Sequence, residues 1–368
     1  MKICYIAPQG IHTRRWINYF ADAGHDIHLI TSEESVTEEF GKVKIHTIKR
    51  IGPKSRIINY PLNSLPMLVQ FKRLIREIEP DIVHAHQIMD TTLLGAVSGF
   101  HPFVVTPWGS DVLITPNQSY ISRKIVQYVL KKADLITCDA AHIQAPLIKL
   151  GAAKQKINLI YFGTDVQRFN PSKRDEKLRE DLGFHDSPVI ISLRRFEPIY
   201  DVASLIKAVP VVLKEIPNAK FVLIEKGSQE RELKDLAGNL GVSDSIKFVG
   251  WVHPNELPRY IASADVYVST SLSDAGLAAS TAEAMASGLP AIVTDFGDNG
   301  EWVKEGVNGF LIPLKSPEVL ASKLINLLQD KDKIKQFGQR NREVIEDRNN
   351  WEKEMNKMGH IYQELTRV

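Results

Sequence analysis

The sequence predicts an α/β protein built as two doubly wound parallel-sheet domains, and three observations lead there. The chain is 368 residues long, short β-branched runs alternate with longer helical patterns, and a polar, Pro-containing stretch interrupts them near the middle. With 43% hydrophobic and 24% charged residues the composition is ordinary for a globular chain, and the length exceeds what one average core supports.

Strand-like runs fall at 2–7, 26–31, 82–85, 103–106, 135–138 and 157–160 in the first half. They continue at 189–193, 220–224, 246–249, 266–269 and 291–294 in the second. The stretch Asn170-Pro-Ser-Lys-Arg-Asp-Glu-Lys reads as the opening of a linker. The expected domains are 1–168 and 186–348, joined by 169–185, with a C-terminal helix at 349–368 that is amphipathic and led by Trp351. Doubly wound sheets bind ligands at the carboxyl ends of their strands, so those loops are where chemistry is expected.

Formal net charge is only +2, which offers no case for nucleic acid or a strongly acidic partner. The first half is mildly basic, and the excess gathers in 42–76 at Lys42, Lys44, Lys49, Arg50, Lys54 and Arg56, ahead of an apolar stretch ending at Arg76. That segment reads either as a surface for anionic membrane lipid or as a solvated loop and an ordinary amphipathic helix. Cys4 and Cys138 lie in buried-strand patterns, so neither a disulfide framework nor a zinc site is expected. No run is long enough for a signal peptide or a membrane span, and a cytoplasmic protein, at most peripheral to a membrane, is expected.

The most informative segment runs from Ser269 to Pro290: a strand end, a Gly-containing loop at Asp274-Ala-Gly276, then strong helix formers up to Gly288-Leu-Pro. Backbone N–H groups at such a helix start are ready donors to phosphate. Glu283, one to two turns in, suits a pair of ribose hydroxyls; the bland alternative is a capping box, which Ser280-Thr-Ala-Glu283 fits.

Glu283-Ala-Met-Ala-Ser-Gly-Leu-Pro resembles the E-A-M-A-x-G-x-P signature of the group 1, or family 4, retaining glycosyltransferases. Matching stretches are Ile190-Ile-Ser-Leu-Arg-Arg-Phe, Phe248-Val-Gly-Trp-Val, Ala264-Asp-Val-Tyr-Val-Ser-Thr-Ser, Glu301-Trp-Val-Lys-Glu-Gly-Val-Asn-Gly-Phe-Leu and Pro80-Asp-Ile-Val-His-Ala-His. The resemblance implies the GT-B architecture, two Rossmann-like domains facing a central cleft, with the C-terminal helix crossing back onto the first domain. It implies a UDP- or GDP-sugar donor on the second domain and a lipid-linked, glycan or small acceptor on the first. Glu283 would hold the donor ribose, Arg195 would clamp the diphosphate, Gly10 would let backbone approach the phosphates, and Gly276, Leu277 and Ala278 would line the donor loop.

Three positions depart from the family pattern. Its first Glu falls at Ala275, its Lys after the Arg at Tyr200, and a His common in relatives at Trp108. Asp274 and Lys226 are the expected replacements for the missing carboxylate and ammonium. Arg195, Asp111 and Asp274 are therefore the expected catalytic groups, and His12, Trp108 and Tyr200 the expected acceptor or sugar contacts. Arg14 and Arg15 suit phosphate or solvent alike. His84 and His86 are expected to pack near the site.

Asp295-Phe-Gly-Asp298 has the wrong spacing for a metal-binding Asp pair, so transfer without metal or other cofactor is expected. Two readings compete with a glycosyltransferase: another GT-B enzyme, such as a sugar-nucleotide epimerase or phosphorylase, and a non-catalytic nucleotide-sugar-binding protein.

Overall fold

The computed structural model describes residues 1–32, 40–49, 60–88, 90–274 and 276–367, and for 11, 60–64 and 90 the backbone alone. Arg50, Lys54, Arg56 and Ala275 lie outside the described residues. The chain forms two compact units: Met1–Phe162 together with Glu354–Val368, and Gly163–Lys353.

The first unit carries β1 (Lys2–Ile6), β2 (Asp26–Thr31), β3 (Lys44–Thr47), β4 (Ile82–His86), β5 (Phe103–Thr106), β6 (Leu135–Cys138) and β7 (Ile157–Leu159). They form one sheet in the order β3-β2-β1-β4-β5-β6-β7, and every pairing is parallel. Both faces are covered, which is why β1, β4 and β5 are buried along nearly their whole length, Ile3, Ile82 and Val104 among them. Phe71, Phe103, Val129 and Leu147 pack in the core on one side.

β3 was not expected from the sequence. It is an edge strand with exposed ends, and its Lys44 reaches Asp26 on β2 at 2.8 Å. An edge strand needs little apolar alternation and is blunted by Lys, so its periodicity is lost in a basic stretch.

The Trp351–Thr366 helix contributes to this unit from Glu354 onward. Its Glu354 carboxylate accepts the Tyr161 N–H at 2.8 Å, and the fully buried Tyr362 hydroxyl bonds both the Tyr5 hydroxyl (2.9 Å) and His84 Nδ1 (2.6 Å). His84 Nε2 continues to Thr106 at 2.6 Å. A helix far away in sequence is thereby pinned to β1, β4 and β5 by buried hydrogen bonds that would be costly to leave unmade.

The second unit carries β8 (Val189–Ser192), β9 (Lys220–Ile224), β10 (Ile246–Gly250), β11 (Val266–Ser269), β12 (Ala291–Thr294) and β13 (Gly309–Ile312). Their order is β10-β9-β8-β11-β12-β13, again all parallel. β13 is the second unexpected edge strand. Its first residue packs so tightly that a Cβ on Gly309 would lie 2.1 Å from the Ala291 carbonyl oxygen, and a strand opening on glycine carries little β signal.

Candidate functional site

In a doubly wound sheet the strand order reverses at one place, and the loops diverging there leave a crevice for ligand. In the second unit that place is between β8 and β11, so the residues after Ser192 and after Ser269 face it. A cavity of about 280 Å³ opens there, lined by Arg194, Arg195, Tyr200, Ile224, Ser280 and Glu283. A broader pocket of about 680 Å³ shares Arg195 and Glu225 with it and adds Glu197, Lys226, Ser228 and Trp251.

The two arginines after β8 have different environments. Arg195, the expected diphosphate clamp, is 64% exposed, and its Nη2 stands 3.8 Å from Glu197 Oε1, so it faces both pockets with its charge hardly engaged. Arg194 is 8% exposed and donates to Asp274 Oδ1 at 2.5 Å, with Ser271 and Ser280 hydroxyls each at 3.4 Å. Its guanidinium lies over the Tyr200 ring, 4.4 Å from the centroid. A buried guanidinium needs a counterion and hydrogen-bond acceptors, and stacking on a ring adds to them here.

This arrangement bears on two expectations. Asp274, expected to replace the missing carboxylate toward the sugar, gives Oδ1 to Arg194, while its buried Oδ2 meets no partner among the described residues. Tyr200, expected as an acceptor or sugar contact, supports Arg194 while lining the smaller cavity. Arg194 was missed by sequence reasoning. The available signal was the pair of arginines itself, because successive residues leaving a strand point to opposite sides, so one of the two must turn inward.

Lys226 lies in the loop after β9, which is locked to the loop after β8. The Phe196 N–H donates to the Lys226 carbonyl (3.2 Å), the Gln229 N–H donates to the Phe196 carbonyl (2.9 Å), and Ser228 donates through its N–H and hydroxyl to Glu197. A Cβ on Gly227 would sit 2.3 Å from the Phe196 carbonyl oxygen, so only glycine permits this approach. The lock sets Arg195 and Lys226 on one wall of the broader pocket.

The Ala279–Ala286 helix begins two residues earlier than a capping box on Ser280 would place it. Its N-cap is Ala278, with no side-chain cap, and the Ser280 hydroxyl turns to Tyr267 at 2.9 Å and to Arg194. The capping-box alternative is thus not realised. Glu283 is half-buried on the cavity wall, and Gly276, Leu277 and Ala278 are half-buried on the approach to the helix start, whose first N–H groups have no partner within the helix.

In the first unit the order reverses between β1 and β4. Gly10 is the N-cap of the Ile11–Asp22 helix with φ −75° and ψ 165°, open to any residue, and a Cβ there would be 4.0 Å from the Trp108 ring. His12 packs tilted against Phe162 (centroids 4.4 Å apart, planes at 34°) and stands edge-on to Trp108 at 5.8 Å. Desolvation first, and then the charge of Arg15, hold its pKa below the usual imidazole value, so it is neutral at pH 7. His12, Trp108 and Phe162 therefore form an aromatic wall beside Gly10.

Asp111 takes another role than the expected acceptor contact. It is 2% exposed, and its carboxylate accepts the Ile88 N–H (2.7 Å) and the Trp108 N–H (3.0 Å), joining the loops that follow β4 and β5. Burial raises its pKa to about 6 against those hydrogen bonds. It positions Trp108. His86 is buried between Tyr5, Trp16 and Trp108, with burial lowering its pKa to about 3. Among the described residues no three His, Cys, Asp or Glu side chains gather as cation ligands.

Comparison with known proteins now adds the family. Residues 2–140 match the model described as glycosyl transferase 4-like, and residues 174–344 match glycosyl transferases group 1. The chain belongs to the group 1 glycosyltransferases. Among its relatives it is 27% identical over 364 residues to the sulfoquinovosyl transferase SQD2 of Arabidopsis thaliana, covering 93% of this chain and 68% of that one. It is 26% identical over 244 residues to spore coat protein SA of Bacillus subtilis, covering 63% of this chain and 65% of the relative. Among solved structures, the Anabaena protein Alr3699/HepE in complex with UDP superposes with a TM-score of 0.81 at 21% identity, covering 99% of this chain and all of that one. The two-domain α/β architecture is thus that of solved glycosyltransferases.

Proposed function

We propose that this group 1 glycosyltransferase moves a sugar from a nucleoside-diphosphate sugar to an acceptor hydroxyl with retention and without a metal. The observation that carries the reading is the constellation at the β8/β11 reversal, where Arg195, Lys226 and Glu283 line two adjoining pockets. Glu283 suits the ribose hydroxyls. Arg195 and Lys226 suit the diphosphate, whose oxygens gain charge as it departs. The bond from the anomeric carbon to the phosphate oxygen breaks while the acceptor oxygen bonds on the same face, and the acceptor's proton passes to the departing diphosphate. The protein's share is positioning and charge stabilisation.

A UDP-sugar is the favoured donor, since the superposing Anabaena protein has been solved with UDP and with UDP-glucose. GDP-sugars are the alternative, in line with the GDP-mannose-dependent mannosyltransferases 24% identical over 239 residues. The acceptor reading is a lipid-linked or glycan hydroxyl, used at the cytoplasmic side of a membrane during envelope polysaccharide or glycolipid synthesis. No described helix is long and apolar enough to cross a membrane.

The test is nucleoside diphosphate release across a donor panel, with lipid-linked and glycan acceptors and with and without chelator. Acceptor-dependent release unaffected by chelator, with the product's anomeric configuration matching the donor's, is expected. Arg195→Ala should lower kcat/KM by about 10²–10³-fold. Donor binding with no turnover on any acceptor would establish a non-catalytic binding protein, and loss of activity on chelation would overturn metal independence.

A further inference from the structure

Outside the site, the most unusual surface in the first unit is formed by residues 112–133, where Arg123, Lys124, Lys131 and Lys132 occur with no acidic residue. On the Tyr120–Lys132 helix, Val126, Val129 and Leu130 are buried in the core. At roughly 100° per residue, Tyr120, Lys124, Tyr128, Lys131, Ile121 and Lys132 fall within about a third of the opposite circumference. Tyr120 is 74% exposed, Ile121 65% and Ile114, just ahead of the helix, 58%. Lys124 lies over the Tyr120 ring at 5.3 Å and Lys132 over the Tyr128 ring at 5.8 Å.

We propose that this face, Ile114 with Tyr120, Ile121, Lys124, Tyr128 and Lys131, docks the protein on an anionic lipid surface. Exposed Tyr and Ile between unpaired ammonium groups match the chemistry of the headgroup boundary, where aromatic rings sit at headgroup depth and Lys meets anionic phosphate. Neighbouring acid distinguishes it from the described part of the basic stretch expected at 42–76, two of whose cations are paired. There Leu65 and Val69 are also exposed, but Arg73 is paired with Glu77 at 2.7 Å and Lys44 with Asp26 at 2.8 Å. The new face also continues from the site along the chain: the Ser110–Leu113 turn and Ile114 follow Trp108.

The surface can be tested independently of the transfer reaction by sedimenting the full chain with vesicles. Binding to phosphatidylserine-containing vesicles, weakened by added salt and absent on pure phosphatidylcholine, is expected. Each Lys→Gln change at Lys124 or Lys131 should weaken binding about fivefold, and the pair together about 25-fold. Tyr120→Ser with Ile121→Ser should weaken binding in high and low salt alike. Lys72→Gln with Arg76→Gln, on the Tyr60–Ile78 helix, should change it less than twofold. Circular dichroism and nucleoside diphosphate release with a soluble acceptor should stay unchanged in all these variants, so loss of release points to the site and loss of sedimentation to this face. Equal binding to phosphatidylcholine, no binding to either vesicle, or sensitivity only to the Lys72 and Arg76 changes would overturn the proposal. So would binding to a soluble polyanion, such as heparin, without binding to vesicles.

Discussion

Arg194 and Asp274 are the pair on which the donor pocket's electrostatics turn. Removing one partner of a buried ion pair strands the other charge, so Asp274→Ala should lower unfolding free energy by about 3 kcal/mol. The double variant Arg194→Met, Asp274→Ala should recover most of that loss, and urea melts of the three proteins check it. The buried imidazoles His84 and His86 both resist protonation, and His86 is the one whose share of the pH dependence can be read. Its folded pKa of about 3 lies below the ordinary value of about 6.5, so its stabilising contribution is full above that value and is lost as pH falls toward 3. Between pH 7.5 and 5 the loss from His86 is roughly 2 kcal/mol. Asp111 acts oppositely: its folded pKa is raised to about 6, so acidification over that window returns about 1 kcal/mol. His86→Phe should therefore cut the acid loss by about 2 kcal/mol, and Asp111→Asn should steepen it, measured by chemical denaturation at the two pH values. Glu283 and Arg195 were legible as site residues because a motif surrounds them. The positioning roles of Asp111 and Asp274 were not, because a carboxylate bound to backbone N–H groups or to arginine looks the same in sequence as one facing substrate.

At the scale of elements, paired loops do the positioning. Gly227→Ala should force the loop after β9 away from Phe196, since the contact is with backbone that cannot turn aside. Donor affinity should fall at least tenfold while stability falls by roughly 2 kcal/mol, read by isothermal titration with UDP and by melting. Tyr362→Phe removes the hydroxyl between Tyr5 and His84, and a loss of about 1–3 kcal/mol with unchanged donor affinity is expected. Buried strands were readable because both faces are apolar, as in β1, β4 and β8. β3 and β13 were not: β3 is a half-exposed basic edge without apolar alternation, and β13 opens on a glycine that carries little β signal. Sequence alone left a cap at Ser280 open, since a Ser three residues before a Glu fits one, and only the nearby Tyr267 and Arg194 draw its hydroxyl elsewhere.

At the scale of the whole molecule, the division of the chain has a consequence for folding. Residues 163–353 are continuous and have their own core, with Ile190, Leu205, Val268 and Leu324 inside it. Expressed alone, they should unfold cooperatively and keep UDP affinity within about tenfold of the full chain. Residues 1–162 alone lack Glu354 and Tyr362, so they should be soluble only as a destabilised form, a contrast that paired melting curves would show. The alternation of strand and helix patterns already implied two parallel-sheet units, because βαβ periodicity is a local property of the chain. The donor motif was likewise local, a strand end, loop and helix start within 22 residues from Ser269 to Pro290. Which of two adjacent arginines turns inward, which carboxylate is consumed in holding it, and which helix leaves tyrosine and lysine facing outward depend on neighbours far apart in the chain. Those choices belong to tertiary structure, since burial and ion pairing act through distance in space and leave no periodic trace in sequence.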